Sequence, residues 1–374
     1  MELTAEQEAV REAVREFARE EIRPTALEAD REQEFPEAVW DGLADLDLTG
    51  LTVPAEYGGY EADPVTAAVV NEEVAYGMLS VATALSVHSL ATSCIAEFGS
   101  DAQQERWLPE MAAGRPVGAF ALSEPHAGSN PAEMSTEARR EGDEYIIDGE
   151  KQWITNGERA GVYVLFAKTD RDDPGSVTQF LVPADVDGLS IGEKEDKLGL
   201  RASDTTGLTF DDVRIPAENR LTEEGKGLSA AFHILTGGRI AIAAQSVGLA
   251  QCALDEALAY SQERDQFGGP ISDIQTIRHK LAEMATKIRA ARLLTRDAAR
   301  KRAAGGAALE ASMAKYCASE AAMFVTNEAV QIHGGYGYVT EGEVERLYRD
   351  AKITEIYEGT TEIQKTVIAR ELLE

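Results

Sequence analysis

Apolar residues change their spacing twice along this chain, and those two changes restrict its fold more than any other feature. At the start, Thr4 and Gln7 form a Thr-x-x-Gln capping box ahead of Val10, Val14 and Phe17 at helical spacing, which predicts a helix ending before Pro24. From Asp41 to Arg115 the pattern stays helical, broken by a turn at Pro54 to Gly59 and without a strand signal. From Val117 to about Leu221 apolar and polar residues alternate instead, β-branched and aromatic side chains are frequent, and turn dipeptides such as Asp148-Gly149 intervene. Gly161 to Ala167, Val177 to Val182 and Gly207 to Phe210 read as strands. From Gly225 the helical spacing returns. Ile274, Ile277, Leu281, Met284, Ile288 and Ala291 recur at alternating steps of three and four, a bundle seam that ends at Gly305-Gly306, and a second helix runs from Leu309 through Met313, Tyr316 and Phe324. The expected fold is therefore multidomain α+β. It has an N-terminal helical domain (1–116), a middle antiparallel β-domain of sandwich or barrel-like form (117–224) and a C-terminal four-helix bundle (225–374).

Charge narrows the function classes. With 66 acidic against 36 basic residues the formal charge is −30, a field that repels nucleic acid and anionic membrane surfaces. The 44% hydrophobic content supplies enough core to argue against disorder. The acid excess is spread along the chain, and only 11 of the basic residues are Lys, a composition similar to that of proteins from salt-loving organisms. Cys94, Cys252 and Cys317 are odd in number and contain no CxxC, which suggests neither a disulfide framework nor a zinc site and fits a reducing cytoplasm. Charges from residue 2 onward leave no signal-peptide pattern. The uncharged run from Leu79 to Ala96 contains six Ser/Thr residues and His88, which favours a buried helix over a membrane span.

Four islands hold side chains that composition does not explain. Phe120-Ala-Leu-Ser-Glu-Pro-His-Ala-Gly-Ser-Asn130 is a strand running into a Pro/Gly loop, either a plain turn or a set of free amides and hydroxyls for a ligand. Trp153-Ile154-Thr155 is by itself a core aromatic and a turn Thr. In Tyr260 to Gly268, with Gln275 beyond, Arg264 suits a phosphate clamp or a surface ion pair. Gln331-Ile-His-Gly-Gly-Tyr-Gly337 and Ile356-Tyr-Glu-Gly-Thr-Thr-Glu-Ile-Gln364 carry glycines that permit close backbone approach or simply end helices.

In this order and on this three-part frame, the islands resemble the acyl-CoA dehydrogenase family over essentially the whole chain. The resemblance implies FAD as cofactor. Phe120, Ala121, Leu122 and Ser123 would follow the isoalloxazine, with Ser123 at its pyrimidine edge. Gly128 and Ser129 would lie in the loop beyond, Ser129 also beside the CoA arm. Trp153 and Ile154 would pack by the flavin, with Thr155 near N5. Arg264, Phe267, Gln275, Gln331, Ile332, Gly334 and Gly335 would reach the FAD of a neighbouring subunit in a homotetramer, a dimer of dimers. Thr360 and Glu362 would hold the cofactor beside the base. That base would be Glu358, flanked by Tyr357 and Gly359 at the substrate, with Arg239 and Asp255 as further substrate contacts. Long-chain and isovaleryl relatives place the base on an earlier helix, at the position of Gly238 here, so the short-, medium- or 2-methyl-branched-chain type is favoured. Ser123 stands where many relatives have Thr, Asn130 replaces a common Asp, His126 is unusual, and His88 reads as a satisfied core histidine.

The reaction implied is α,β-dehydrogenation of a short- or branched-chain acyl-CoA, in β-oxidation or amino-acid catabolism. Glu358 would take the α-proton as hydride leaves the β-carbon for flavin N5, and electrons would pass to an electron-transferring flavoprotein. The alternatives are an acyl-CoA oxidase, a glutaryl-CoA-type enzyme, or a flavin-binding scaffold without the reaction. The glutaryl type wants a cation in the acyl pocket, and no Arg or Lys lies between Leu79 and Ala96.

Overall fold

A computed structural model describes residues 2–373. Helix α1 (Ala5–Phe17) carries the expected cap: Thr4 Oγ1 accepts from the Gln7 N–H, and the Gln7 side chain accepts from the Thr4 N–H. Helical backbone does not stop before Pro24. It passes through a π turn (Ala18–Ile22) and a 3-10 turn (Arg23–Thr25) into α2 (Ala26–Glu32). Pro24 falls in the opening turn of the 3-10 segment, where its missing N–H has no partner to lose. Helices α3 (Glu37–Asp45), α4 (Pro64–Gly77), α5 (Leu79–Phe98) and α6 (Asp101–Ala112) follow.

The β-domain comprises β1 (Val117–Ala121), β2 (Glu137–Glu141), β3 (Glu144–Ile154), β4 (Ala160–Lys168), β5 (Val177–Pro183), β6 (Leu189–Ile191) and β7 (Thr206–Pro216). Its sheet order is β1-β4-β2-β3-β7-β6, with β5 on β4. Most pairs are antiparallel as expected, but β1 runs parallel to β4, with one further parallel bridge between β2 and β4. Parallel neighbours need a long crossover, and the residues from 122 to 159 provide it. Asp148-Gly149 is not a turn either. Strand β3 passes through it with a bulge against β7: the Asp148 carboxylate accepts the Asp212 N–H at 2.9 Å, β2 pairs up to Asp148, and pairing with β7 continues beyond it. The tight hairpin instead uses Gly142 (φ 64°) and Asp143 between β2 and β3.

Helix α7 (Gly227–Glu263) then leads through a two-residue hairpin, β8 (Asp265–Gln266) and β9 (Gly269–Pro270), to α8 (Gln275–Ala303) and α9 (Ala308–His333). The short α10 (Glu343–Ala351) and α11 (Thr361–Leu373) complete the chain. Helices α7, α8 and α9 pack side by side with α11 along α9, and α4 from the N-terminal part packs on α7. One apolar core consequently joins both helical regions, running through Ile22, Trp40, Val74, Val247, Ile288 and Val325. By length and composition α5 and α7 could each cross a membrane, but 78% and 61% of their apolar windows are buried against other parts of the protein, as core helices require.

Candidate active site

Glu358 stands at the entrance to α11 in a left-handed conformation, φ 54°, followed by Gly359 at φ 89°. Two such residues in succession are strained for any non-glycine, and strain of this kind survives where the surroundings over-determine it. Here Gln364 Nε2 donates to the carbonyls of Glu358 (3.1 Å) and Gly359 (2.8 Å), and Lys315 Nζ donates to the Gly359 carbonyl at 2.8 Å. Thr360 Oγ1 accepts the Ile363 N–H and caps α11. The Glu358 side chain is thereby turned away from its own helix. Its Oε2 is enclosed and has no hydrogen-bond partner among the described residues. Burial pushes the carboxyl up to about 7, opposed by the nearby positive charges of Arg239 and Lys315.

Gly238 explains how the carboxylate fits. A Cβ there would lie 3.0 Å from Glu358 Oε2 and 3.3 Å from Leu90 Cδ2, so α7 and α5 close on the acid only because this position lacks a side chain. Tyr357 lies 3.4 Å by its hydroxyl from both Thr83 Oγ1 and Gln245 Oε1. Arg239 is buried with its Nε unpartnered, and burial lowers its pKa against the pull of Glu358. The sequence reading missed Lys315. It is fully buried, and burial brings its ammonium down to about 8 while Glu358 pulls it back up. The available signal was a lone Lys in the Ala/Ser-rich stretch of α9.

Helix α5 joins this acid to the first two islands. Asn156 Nδ2 donates to the Ala84 carbonyl (3.0 Å) and the Gly118 carbonyl (3.1 Å), one residue from the Thr83 that meets Tyr357. His88, buried as expected, accepts the Gly118 N–H at Nδ1 and bonds the Met111 carbonyl through Nε2, which fixes its neutral tautomer, and burial lowers it to about 4. The Gln152 N–H donates to the Ser123 carbonyl at 3.0 Å, bringing Phe120–Ser123 beside Trp153–Thr155. Trp153 is not a core aromatic. It is 59% exposed with φ 64°, a large flat ring left open to solvent. Ala121, Leu122 and Ile154 are buried, Phe120 packs on Phe166 at 4.7 Å between ring centres, and Ser123 and Thr155 remain half-buried. Gly128 and Ser129 lie exposed in the loop beyond. That loop is pinned from below by Glu124, which accepts from Ser135 N–H, Thr136 N–H and, at 2.8 Å, from the buried Lys151. These exposed ring, strand-end and hydroxyl groups suit a flavin.

The remaining candidates lie elsewhere. Arg264 is 25 residues beyond Arg239 on α7, about 37 Å at 1.5 Å per residue. There Arg264, its guanidinium 5.8 Å from the Tyr336 ring centre, and Phe267 (96% exposed), Gln275, Gln331, Gly334 and Gly335 are all exposed, while Ile332 is core. Glu362 is exposed on the first turn of α11. Asp255 does not join the acid. It is about 24 Å along α7 from Arg239 and is occupied by Tyr76 and Gln251 at 3.1 and 2.9 Å. A cation also lines the cleft beside Gly238: Arg302, from α8 instead of α5.

Comparison with known proteins agrees with this geometry. The chain matches the family models for the acyl-CoA dehydrogenase N-terminal domain at residues 4–115, middle domain at 119–213 and C-terminal domain at 225–373. It belongs to the acyl-CoA dehydrogenase family, a family of FAD-dependent oxidoreductases. It is 45% identical to the mitochondrial short-chain specific acyl-CoA dehydrogenase of Rattus norvegicus, over 100% of this chain and 91% of the relative. Butyryl-CoA dehydrogenase from Megasphaera elsdenii superposes with a TM-score of 0.97 at 41% identity, covering 100% of both chains. A chain solved in work on the electron transferring flavoprotein of Acidaminococcus fermentans superposes with a TM-score of 0.98 at 40% identity, covering 100% and 99%.

Proposed function

We propose that the chain dehydrogenates a short- or branched-chain acyl-CoA between its α and β carbons and delivers the electrons to an electron-transferring flavoprotein. The observation that carries this reading is the enclosed, unpartnered Oε2 of Glu358, on an acid that burial brings to about 7. A base poised near the working pH is what removal of a thioester α-proton needs. Arg239 and Lys315 keep the carboxylate available by opposing its desolvation. The Glu358 backbone N–H is free to donate to the thioester oxygen as negative charge grows there. Phe120–Ser123, Trp153–Thr155 and the loop through Ser129 would hold FAD, with Thr360 and Glu362 near the base. Bound FAD supplies the hydride acceptor. Because Arg264, Phe267, Gln275 and the Gln331–Gly335 turn lie so far along α7 from Glu358, they would serve the FAD of a second copy in a homotetramer.

The test is to mix the flavin-loaded protein anaerobically with a panel of acyl-CoA thioesters and follow the visible flavin band. Bleaching by short or branched acyl-CoAs, with reoxidation by electron-transferring flavoprotein outpacing that by air, is expected. No bleaching by any thioester would overturn the reading, and rapid reoxidation by air would assign an oxidase.

A further inference from the structure

Acidic side chains outnumber basic ones 66 to 36, so an enclosed arginine without an acid of its own is unexpected in this chain. Arg296 on α8 is one. It is 7% exposed, and its Nε has no hydrogen-bond partner among the described residues. Burial lowers its pKa; Glu72 and Glu8 pull it up as neighbouring charges, while Arg292 and Arg11 push it further down. Both acids are already engaged. Glu72 on α4 accepts from Arg292 Nε at 2.7 Å, and Glu8 lies 2.6 Å from Arg11 Nη2 within α1. The next acid along α4, Glu73, is held by Arg15 at 2.7 and 3.0 Å. Glu72 does not come closer by a shift of α4, because that helix is seated on α7 there: a Cβ on Gly248 would lie 1.9 Å from the Glu72 carbonyl oxygen. Nor does α8 supply an acid. Arg292, Arg296 and Arg300 follow at steps of four on one helix face, where like charges repel, and Arg300 reaches the Glu2 carbonyl at 3.2 Å. A buried charge left without a counter-charge is costly.

We infer that Arg296, with Arg292 and Arg11 beside it, binds one small monovalent inorganic anion such as chloride in the seam between α1, α4 and α8. The local charge sets the valence. Two acids, Glu8 and Glu72, face three arginines, Arg11, Arg292 and Arg296, and the single positive excess is what one halide neutralises. A phosphate would bring more bulk to an enclosed guanidinium and a further negative charge toward Glu8 and Glu72. Held there, the ion ties α1 to the bundle helix α8. None of these residues belongs to the site around Glu358, so the inference stands apart from the thioester chemistry.

The test measures unfolding midpoints of the flavin-loaded parent and Arg296→Met in equimolar potassium chloride and potassium gluconate, which share cation and ionic strength but differ in anion size. The reading is the difference between the two proteins in each salt, from which general effects of the anion on stability cancel. In gluconate Arg296→Met is expected to be at least as stable as the parent, because an apolar side chain replaces an unpaired buried charge. In chloride it should fall about 2 °C below the parent, the stabilisation that a ligand specific to the folded state provides. The same difference in both salts, or a variant destabilised equally in each, would overturn the inference, since Arg296 would then be satisfied within the chain. A second reading needs no variant: the NMR line of chloride, broadened by exchange with the parent, should narrow as bromide displaces it and stay broad with added gluconate. Chloride that bromide does not displace, or a line equally broad with Arg296→Met, would count against the site.

Discussion

At the residue scale the proposed chemistry rests on one carboxyl. Glu358 has an ordinary value of 4.5 and a folded value of about 7, so between these pH values the folded protein keeps a proton that the unfolded chain has released. Stability therefore falls as pH rises through that window, by up to about 3 kcal/mol once pH exceeds 7. Glu358→Gln removes the penalty. Unfolding midpoints should show the variant more stable than the parent at pH 8 and equal to it near pH 4, and a pH-independent difference would contradict the burial. Lys315 acts on the same group. Lys315→Met withdraws a positive charge that favours the carboxylate, so the pH midpoint of flavin reduction should rise by about one unit, while Lys315→Arg should leave it near that of the parent. Neither Lys315 nor Arg302 was legible as a site residue, because each is an isolated cation on a helix and only packing shows what it faces. Glu358 was legible through the Tyr-Glu-Gly-Thr-Thr motif, though its left-handed backbone was not.

At the element scale the buried Glu124–Lys151 pair fastens the loop after β1 to the strand carrying Trp153. Both side chains are fully enclosed, and Glu124 also holds the Ser135 and Thr136 amides at 2.6 and 3.0 Å. Lys151→Met leaves an unpaired buried carboxylate and should cost about 3–5 kcal/mol, with flavin loss on gel filtration. Adding Glu124→Gln should recover part of that stability, and a double variant no better than the single one would count against the clamp. The helical and β regions were readable because periods of 3.6 and 2 report burial directly. What escaped were places where distant partners overrule local preference. Pro24 continues a helical path through a 3-10 turn, Asp148-Gly149 stays inside a strand held by β2 and β7, and β1 lies parallel to β4 across a long crossover while the Gly118 N–H donates to His88 on α5.

At the scale of the whole molecule, the −30 charge opposes the expected ligands, since FAD and CoA are themselves anionic. The field is spread over the surface and is screened within about 3 Å in molar salt. Isothermal titration with butyryl-CoA at rising potassium chloride should give a falling Kd, and a Kd that climbs steadily would show that local cations outweigh the global charge. The charge bears on the medium, whereas the proposed reaction depends on the meeting of α5, α7 and α11 around one acid. The most direct test of that placement is the single-turnover rate of flavin reduction by butyryl-CoA in Glu358→Gln. The variant is expected to retain its flavin and to reduce it at least about a hundredfold more slowly than the parent; reduction at the parental rate would show that another group takes the α-proton.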